Sequence, residues 1–244
     1  MRRPRMVLFD YGHTLAWTPG EDYLRGEEAV FRYVAENPRG VTPQEAARLG
    51  TAIWLGQREI RHSGAELSAL QQLRLKYDVL GLRFTRPLEV LEQVLWTAVS
   101  PGEAMPGAPE MLAALQARGI RTGVISNLGW SAAALTGRLE RLTGHRFEFV
   151  MTSSEYGVRK PDPMIFRAAL GRSGLDAGDV WYCGDELAAD VRGARGAGIH
   201  PVWYRCAEIP NAFDYKNDGL TPEGPCLCIS RWAELVQAID DCEE

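Results

Sequence analysis

Four short segments carry the side chains of this chain that could do chemistry: FDYGHTL at 9–15, SN at 126–127, KP at 160–161 and GDELAAD at 184–190. Together they supply the carboxylates of Asp10, Asp185 and Asp190, the hydroxyl of Ser126, the amide group of Asn127 and the ammonium of Lys160. Carboxylates that converge at strand ends repel one another unless a cation sits among them. Hard oxygen ligands in partial number, with room left for water and a phosphoryl oxygen, suit Mg2+. Small donors such as Ser126 and the Asn127 backbone suit phosphate oxygens, and a lysine can neutralise both a phosphate and a nearby carboxylate. Each residue alone has a plainer account. Asp10 suits an Asx turn, Ser126 a loop cap, Lys160 a solvated loop charge, and His13 an ordered loop. Only their occurrence together, in this order along the chain, points to a site.

The elements that must position them follow from the apolar pattern. Residues 5–10 read as a buried strand ending in a carboxylate, with Gly12 in the loop beyond. From residue 21 to about residue 99 the pattern is helical throughout, with Pro43 after Thr42 marking one helix start. After Met105-Pro106-Gly107 strands alternate with helices. Strands are expected at 120–126, 147–152, 180–184, 201–204 and 226–229, and helices at 109–118, 131–142, 162–173, 187–197 and 231–239. That alternation predicts an α/β fold, a parallel Rossmann-like sheet flanked by helices, with a helical subdomain inserted after the first strand. The expected division is a core of 1–16 and 100–244 and an insert of 17–99. Ligands in such sheets bind at the carboxyl ends of strands, where Asp10, Ser126 and Asp185 all fall. Residues 207–225, with Pro210, Asn211, Asn217, Gly219 and Gly224, read as an irregular crossover.

Composition narrows the setting. The chain has 244 residues, 45% apolar and 24% charged, with net charge −5, so it lacks the basic footprint expected of a nucleic-acid or anionic-membrane binder. No window reaches the ~18 apolar residues of a membrane span, and the apolar stretch after MRRPR stops at Asp10, too soon for a secretory leader. Five cysteines, an odd count without framework spacing, fit a cytoplasmic protein. Cys226 and Cys228 in CLCI read as small apolar residues of a strand rather than as metal ligands. The helical insert offers a surface that a homodimer could use.

With its four segments in this order, the chain resembles the haloacid dehalogenase-like hydrolase superfamily, most members of which are phosphatases. The run SSEYGVRKPDPMIF is especially like the family's third motif, and the insert is similar to its helical cap. The resemblance implies a Mg2+-dependent enzyme acting on a small phosphorylated molecule through an aspartyl-phosphate. It makes Asp10 the nucleophile and a metal ligand, with the Gly12 carbonyl and Asp185 as further ligands. Asp190 would support the metal shell, and Glu186 would join it through water. Ser126, the Asn127 backbone and Lys160 would hold the transferring group, and Thr14 would fix the loop.

One position departs from the family. Its phosphatases carry a second aspartate two residues after the first, which protonates the leaving group and then activates water. Here that position is Gly12. His13 offers a substitute acid/base. Other outcomes are a slow enzyme, one limited to easy leaving groups such as acyl phosphates, or different chemistry on the same fold. Dehalogenases of the family place a tyrosine at the second position and have no metal site; here Tyr11 stands one position earlier and GDELAAD is intact. Phosphonatases use a small residue there and a cap lysine; the insert's lysine, Lys76, reads as a solvated helix charge. A further alternative is a weakly active or inactive phosphate-binding regulatory module. Substrate choice would fall to the insert and to the loop AWTPGEDY at 16–23, where Trp17, Trp54, Arg58, Arg61 and His62 are candidates to face a substrate, although packing accounts for the tryptophans and solvation for the arginines.

Overall fold

The computed structural model describes residues 2–209 and 214–242, with backbone alone for Arg58 and Arg61. In chain order the elements begin with β1 (Met6–Phe9), β2 (Ala16–Trp17), α1 (Tyr23–Phe31), β3 (Val34–Glu36), α2 (Pro43–Gly56), α3 (Arg58–His62), α4 (Ala69–Leu80), β4 (Arg83–Phe84), α5 (Leu88–Val99) and β5 (Glu103–Ala104). There follow α6 (Ala108–Ala117), β6 (Arg121–Ser126), α7 (Ala132–Thr143), β7 (Phe149–Thr152), α8 (Ser153–Tyr156), α9 (Pro163–Ser173) and β8 (Val180–Gly184). Next come a π-helical turn (Leu187–Arg192), α10 (Gly193–Gly196), β9 (His200–Tyr204), a 3-10 turn (Asp214–Asn217), β10 (Leu227–Ile229) and α11 (Trp232–Asp240).

The main sheet is parallel, in the order β10-β9-β8-β1-β6-β7. The chain builds outward from β1 to β6 and β7, then returns to the other side of β1 for β8, β9 and β10. The order therefore reverses around β1, and the carboxyl ends of β8, β1 and β6 meet at one crevice. Residues 6–9 are apolar without alternation because both faces of β1 are covered. Val7 and Phe9 pack with Met111, Leu112 and Leu115 of α6 and with Trp232 and Leu235 of α11. Met6 and Leu8 pack with Ile165, Phe166 and Ala169 of α9. Each of these four β1 side chains is fully buried, a stabilisation of roughly 1.5–3 kcal/mol apiece.

The helical insert leaves the core through a narrow neck. β2 and β5 pair antiparallel, Ala16 with Ala104 and Trp17 with Glu103, so the chain departs and returns side by side. The insert has its own apolar cluster of Val30, Leu73, Tyr77, Leu82, Leu91, Leu95 and Val99. The expected helix start at Pro43 carries a full capping box, with Thr42 and Glu45 exchanging hydrogen bonds.

Three readings of the sequence need correction. The insert is not purely helical, because β3 and β4 pair antiparallel within it; two- and three-residue strands leave no legible alternation. The helix expected over 187–197 is a π-helical turn followed by the single turn α10, a distortion that brings Asp190 back over the exit of β8. Lys76 is not solvated. It is buried at 4% exposure in the insert, its ammonium paired with Glu27, and Tyr77 donates a hydrogen bond to the same carboxylate.

Among the described residues no helix is long and apolar enough to cross a membrane.

Candidate active site

Asp10 is the first residue past β1, and its amide continues the ladder by donating to the Cys183 carbonyl at 2.9 Å. The loop after it is tightly closed. The amides of Leu15 and Ala16 both donate to the Tyr11 carbonyl, and His13 donates to Ala16. Tyr11 points away from the crevice, its hydroxyl accepting from Arg138 Nε at 2.6 Å and its ring edge-on to Trp96. His13 adopts a left-handed φ of 51°. Gly12 does not; a Cβ built there meets no atom within 4 Å. The glycine is demanded neither by its backbone nor by crowding.

Lys160 lies at the centre. Its ammonium donates to Asp10 Oδ1 at 2.7 Å, Asp190 Oδ1 at 2.6 Å and the Tyr182 hydroxyl at 2.7 Å. Burial pushes this ammonium down, but the Asp10 and Asp190 carboxylates outweigh it and hold its pKa above the usual lysine range. Asn127 fixes the lysine's backbone from across the crevice, accepting from the Lys160 amide at 2.7 Å and donating to its carbonyl at 2.9 Å. Ser126 is buried at the end of β6, two residues beyond Val124, the partner of Phe9.

The β8 exit supplies the other carboxylates. Asp190 packs directly over Gly184, where a Cβ would lie 2.3 Å from the Asp190 Cγ. Here only glycine fits. Both Asp190 oxygens are engaged, Oδ1 by Lys160 and Oδ2 by the Glu186 amide at 2.9 Å. Asp185 Oδ1 accepts from Thr14 Oγ1 at 3.3 Å. Ligand atoms of Asp10, Asp185 and Asp190 all lie within 4.8 Å of one another, the spacing of a carboxylate set able to hold one divalent ion. A cavity of about 170 Å³ opens beside Asp185 and is lined by His13, Met105, Tyr204, Arg205, Cys206 and their neighbours.

Asp10, Asp185, Asp190 and Lys160 thus converge, with Gly12, His13, Thr14, Ser126 and Asn127 around them. The described candidate specificity side chains of the insert stand on different elements, Trp17 on β2, Trp54 on α2 and His62 on α3. Trp17 packs against the main core, Trp54 is half exposed on α2, and His62 pairs with Glu59 on an exposed face. The side chains of Arg58 and Arg61 lie outside the described residues. Glu186 pairs with Lys216.

Sequence reasoning missed three supports. Tyr182, whose hydroxyl links Lys160 to the Ile125 carbonyl at 2.9 Å, sits in the apolar strand VWYC. Its signal was available, because a buried tyrosine needs a partner for its hydroxyl. Trp203 Nε1 and Asn217 Nδ2 both donate to the Asp185 carbonyl at 3.0 Å, and Asn217 Oδ1 accepts from Leu187 at 2.8 Å. The supposed irregular crossover therefore braces the Asp185 turn; nothing local in 207–225 announces this, and its Pro210 and Asn211 lie outside the described residues.

A parallel α/β sheet whose strand-end aspartates surround one buried lysine is the architecture of a Rossmann-like hydrolase. The chain belongs to the haloacid dehalogenase-like hydrolases, whose family model matches residues 5–198. It is 34% identical over 124 residues to a phosphoserine phosphatase of Thermus thermophilus, a match covering 49% of this chain and 43% of that protein. It is 27% identical over 240 residues to a ribulose-1,5-bisphosphate 5-phosphatase of Halopiger xanaduensis, covering 96% and 98%. With a glyceraldehyde 3-phosphate phosphatase of Pyrococcus abyssi it shares 35% over 101 residues, 42% of that relative's length. The chain thus spans less than half the length of two of these three relatives. Among solved structures, an HAD phosphatase from Thermococcus onnurineus superposes with TM-score 0.60 over all of both chains at 20% identity. A 2-haloacid dehalogenase from Pseudomonas syringae superposes with TM-score 0.59, covering 98% of this chain and 99% of that one at 22% identity. At such identities the structural likeness speaks to the fold alone.

Proposed function

We propose that this chain is a Mg2+-dependent phosphatase of small phosphorylated metabolites, working through an aspartyl-phosphate on Asp10. The observation that carries the reading is the Lys160 ammonium, buried and shared between Asp10 and Asp190 beside the open flank of Asp185. The relatives named above act on small phosphate esters, which supports the substrate class. Residues 17–99 act as the helical cap of a core formed by 1–16 and 100–244, and the setting is the cytoplasm, in keeping with five free cysteines.

The donor set fits a hard divalent cation. Asp10, the Gly12 carbonyl and Asp185 would hold it; Asp190, with both oxygens committed, sits behind them and anchors Lys160. When bound, the ion supplies positive charge to the phosphoryl oxygens. Asp10 attacks phosphorus as the bond to the leaving oxygen breaks. Lys160, Ser126 and the Asn127 amide hold the equatorial oxygens, and Lys160 offsets the charge that develops on them. Water then hydrolyses the aspartyl-phosphate.

Proton transfer is the weak part. Burial, with Lys216 nearby, holds the His13 imidazole below its usual pKa, so at neutral pH it can accept a proton but has little of the charged form to donate. Leaving groups that depart unprotonated are therefore the expected substrates, acyl phosphates above alkyl esters. The same gap favours a second reading, a phosphate-binding regulatory module with slow turnover. The phosphonatase alternative loses its lysine, because Lys76 is paired with Glu27 inside the insert.

The test is phosphate release from acetyl phosphate and p-nitrophenyl phosphate with and without Mg2+. Wild type should be active only with the ion, and Asp10→Asn should abolish release. Full activity in Asp10→Asn sinks the assignment of the nucleophile, and slow release by wild type on every ester and acyl phosphate favours the regulatory reading.

A further inference from the structure

Lys160 and Asn127 stand on two loops, and one segment of the insert grips both. The Arg159 amide donates to the Gly64 carbonyl at 3.2 Å, and Ala65 bridges to Val158. The Ala69 amide donates to the Gly129 carbonyl at 2.7 Å. Gly129 allows this approach, since a Cβ there would stand 3.2 Å from the Leu67 carbonyl oxygen. Between these contacts lies Glu66, an insert carboxylate with only 2% of its side chain exposed. One of its oxygens pairs with the Arg159 guanidinium and accepts from Ser153 Oγ at 2.9 Å. Ser153 Oγ in turn accepts from the Leu128 amide at 2.9 Å. A single carboxylate thus reaches the residue before Lys160 and, through one hydroxyl, the residue after Asn127.

Burying a carboxylate is costly unless it is paired and hydrogen-bonded, and Glu66 is both only while the insert lies against the core. Lifting residues 64–69 away would separate Glu66 from Arg159 and Ser153 together and release both loops at once. We propose that Glu66 is a positioning residue that couples docking of the insert to the order of the loops bearing Asn127 and Lys160. The proposal deepens the phosphatase reading and rests on it. Coupling of this kind is reciprocal: if docking improves the phosphate site, a phosphoryl analogue bound there must strengthen docking by the same factor.

The experiment uses the whole chain with Mg2+ and orthovanadate as the phosphoryl analogue. Hydrogen exchange is followed at the Ala69 and Arg159 amides, the two donors across the contact. In wild type, vanadate should slow both. In Glu66→Gln, which keeps an acceptor for Ser153 but loses the charge facing Arg159, vanadate affinity should fall about tenfold, with KM for p-nitrophenyl phosphate rising alike and the protection lost. Should Glu66→Gln not fold, Arg159→Gln carries the same expectation, its side chain being 24% exposed. A Glu66→Gln protein that melts lower yet keeps wild-type vanadate affinity, KM and protection makes Glu66 a structural residue and overturns the proposal alone. A wild type that neither binds vanadate nor releases phosphate overturns the phosphatase reading as well.

Discussion

On the phosphatase reading proposed above, an aspartate at position 12 should extend the substrates from easy leaving groups to alkyl esters. A Cβ at Gly12 meets nothing within 4 Å, and the residue is not in the left-handed region, so Gly12→Asp should fold without repacking. The carbonyl that would face the metal is backbone and is unchanged. A positioned general acid/base contributes about 10²–10⁴ in rate, roughly 3–5 kcal/mol of barrier. The gain should appear only where the leaving oxygen needs a proton. We expect kcat on an alkyl phosphate such as glycerol phosphate to rise by about 10² or more, and kcat on acetyl phosphate to change by less than about threefold. The ratio of the two rates, measured by phosphate release at saturating Mg2+, is the readout.

The same substitution has a stability signature that checks its placement. A new carboxylate repels Asp10 and Asp185, by about 2–3 kcal/mol for a pair of charges about 6 Å apart at an effective dielectric of 20. Replacing glycine returns about 0.4–1 kcal/mol through the unfolded chain. Without metal the variant should therefore unfold at lower urea than wild type, and Mg2+ should restore most of the difference. A folded, Mg2+-responsive Gly12→Asp protein with an unchanged alkyl-to-acyl ratio would refute the view that proton transfer is what this site lacks.

Lys160→Met leaves Asp10 and Asp190 buried without their shared cation and should cost about 3–5 kcal/mol in urea unfolding without metal; a loss under 1 kcal/mol would mean the ammonium is not what stabilises the pair. Gly184→Ala places a carbon where Asp190 now sits and should cost about 1–3 kcal/mol, with phosphate release falling at least about tenfold; wild-type turnover would show that the close approach does not matter. His145 is buried, its Nε2 2.8 Å from Thr122 Oγ1, and burial holds its pKa below the ordinary 6.5. The unfolded chain therefore takes up the proton first, so stability is fully present above pH 6.5 and declines as pH falls from there toward the folded value. Urea midpoints between pH 7.5 and 5 should show that decline in wild type and a shallower one in His145→Gln.

Much of this was legible in the chain. Residues 6–9 announce a strand because a sheet covered on both faces favours consecutive apolar residues, and the helix expected over 162–173 ends where Gly174 takes the αL conformation at φ 64°. Asp10, Lys160 and Asp185 were legible as a set because each follows a strand or precedes a helix at the carboxyl end of the sheet, and Asp190 because it stands five residues after Asp185 in the same segment. What stayed hidden depends on partners far along the chain. Lys76 looked like a surface charge because Glu27, 49 residues away, is what buries it. Asn217 gave no signal, since its role is to satisfy a carbonyl 32 residues earlier. Glu66 reads as an ordinary acid until the fold sets it against Ser153 and Arg159, 87 and 93 residues further on.

Two glycines of this one site make opposite physical statements. At Gly184 a single added carbon collides with Asp190, so that position is fixed by the network that charges and orients Lys160. At Gly12 an added carbon touches nothing, so that position is fixed by no contact at all. The parts that handle charge are buried, mutually bonded and drawn from the ends of β1, β6 and β8 and from the loop before α9, so losing one disturbs the rest. The place where a proton donor would stand, position 12 in the loop after β1, is open space. A side chain at position 12 can therefore be gained or lost while Asp10, Lys160, Asp185 and Asp190 stay in place, so likeness to phosphatases in the charge network is independent of leaving-group range.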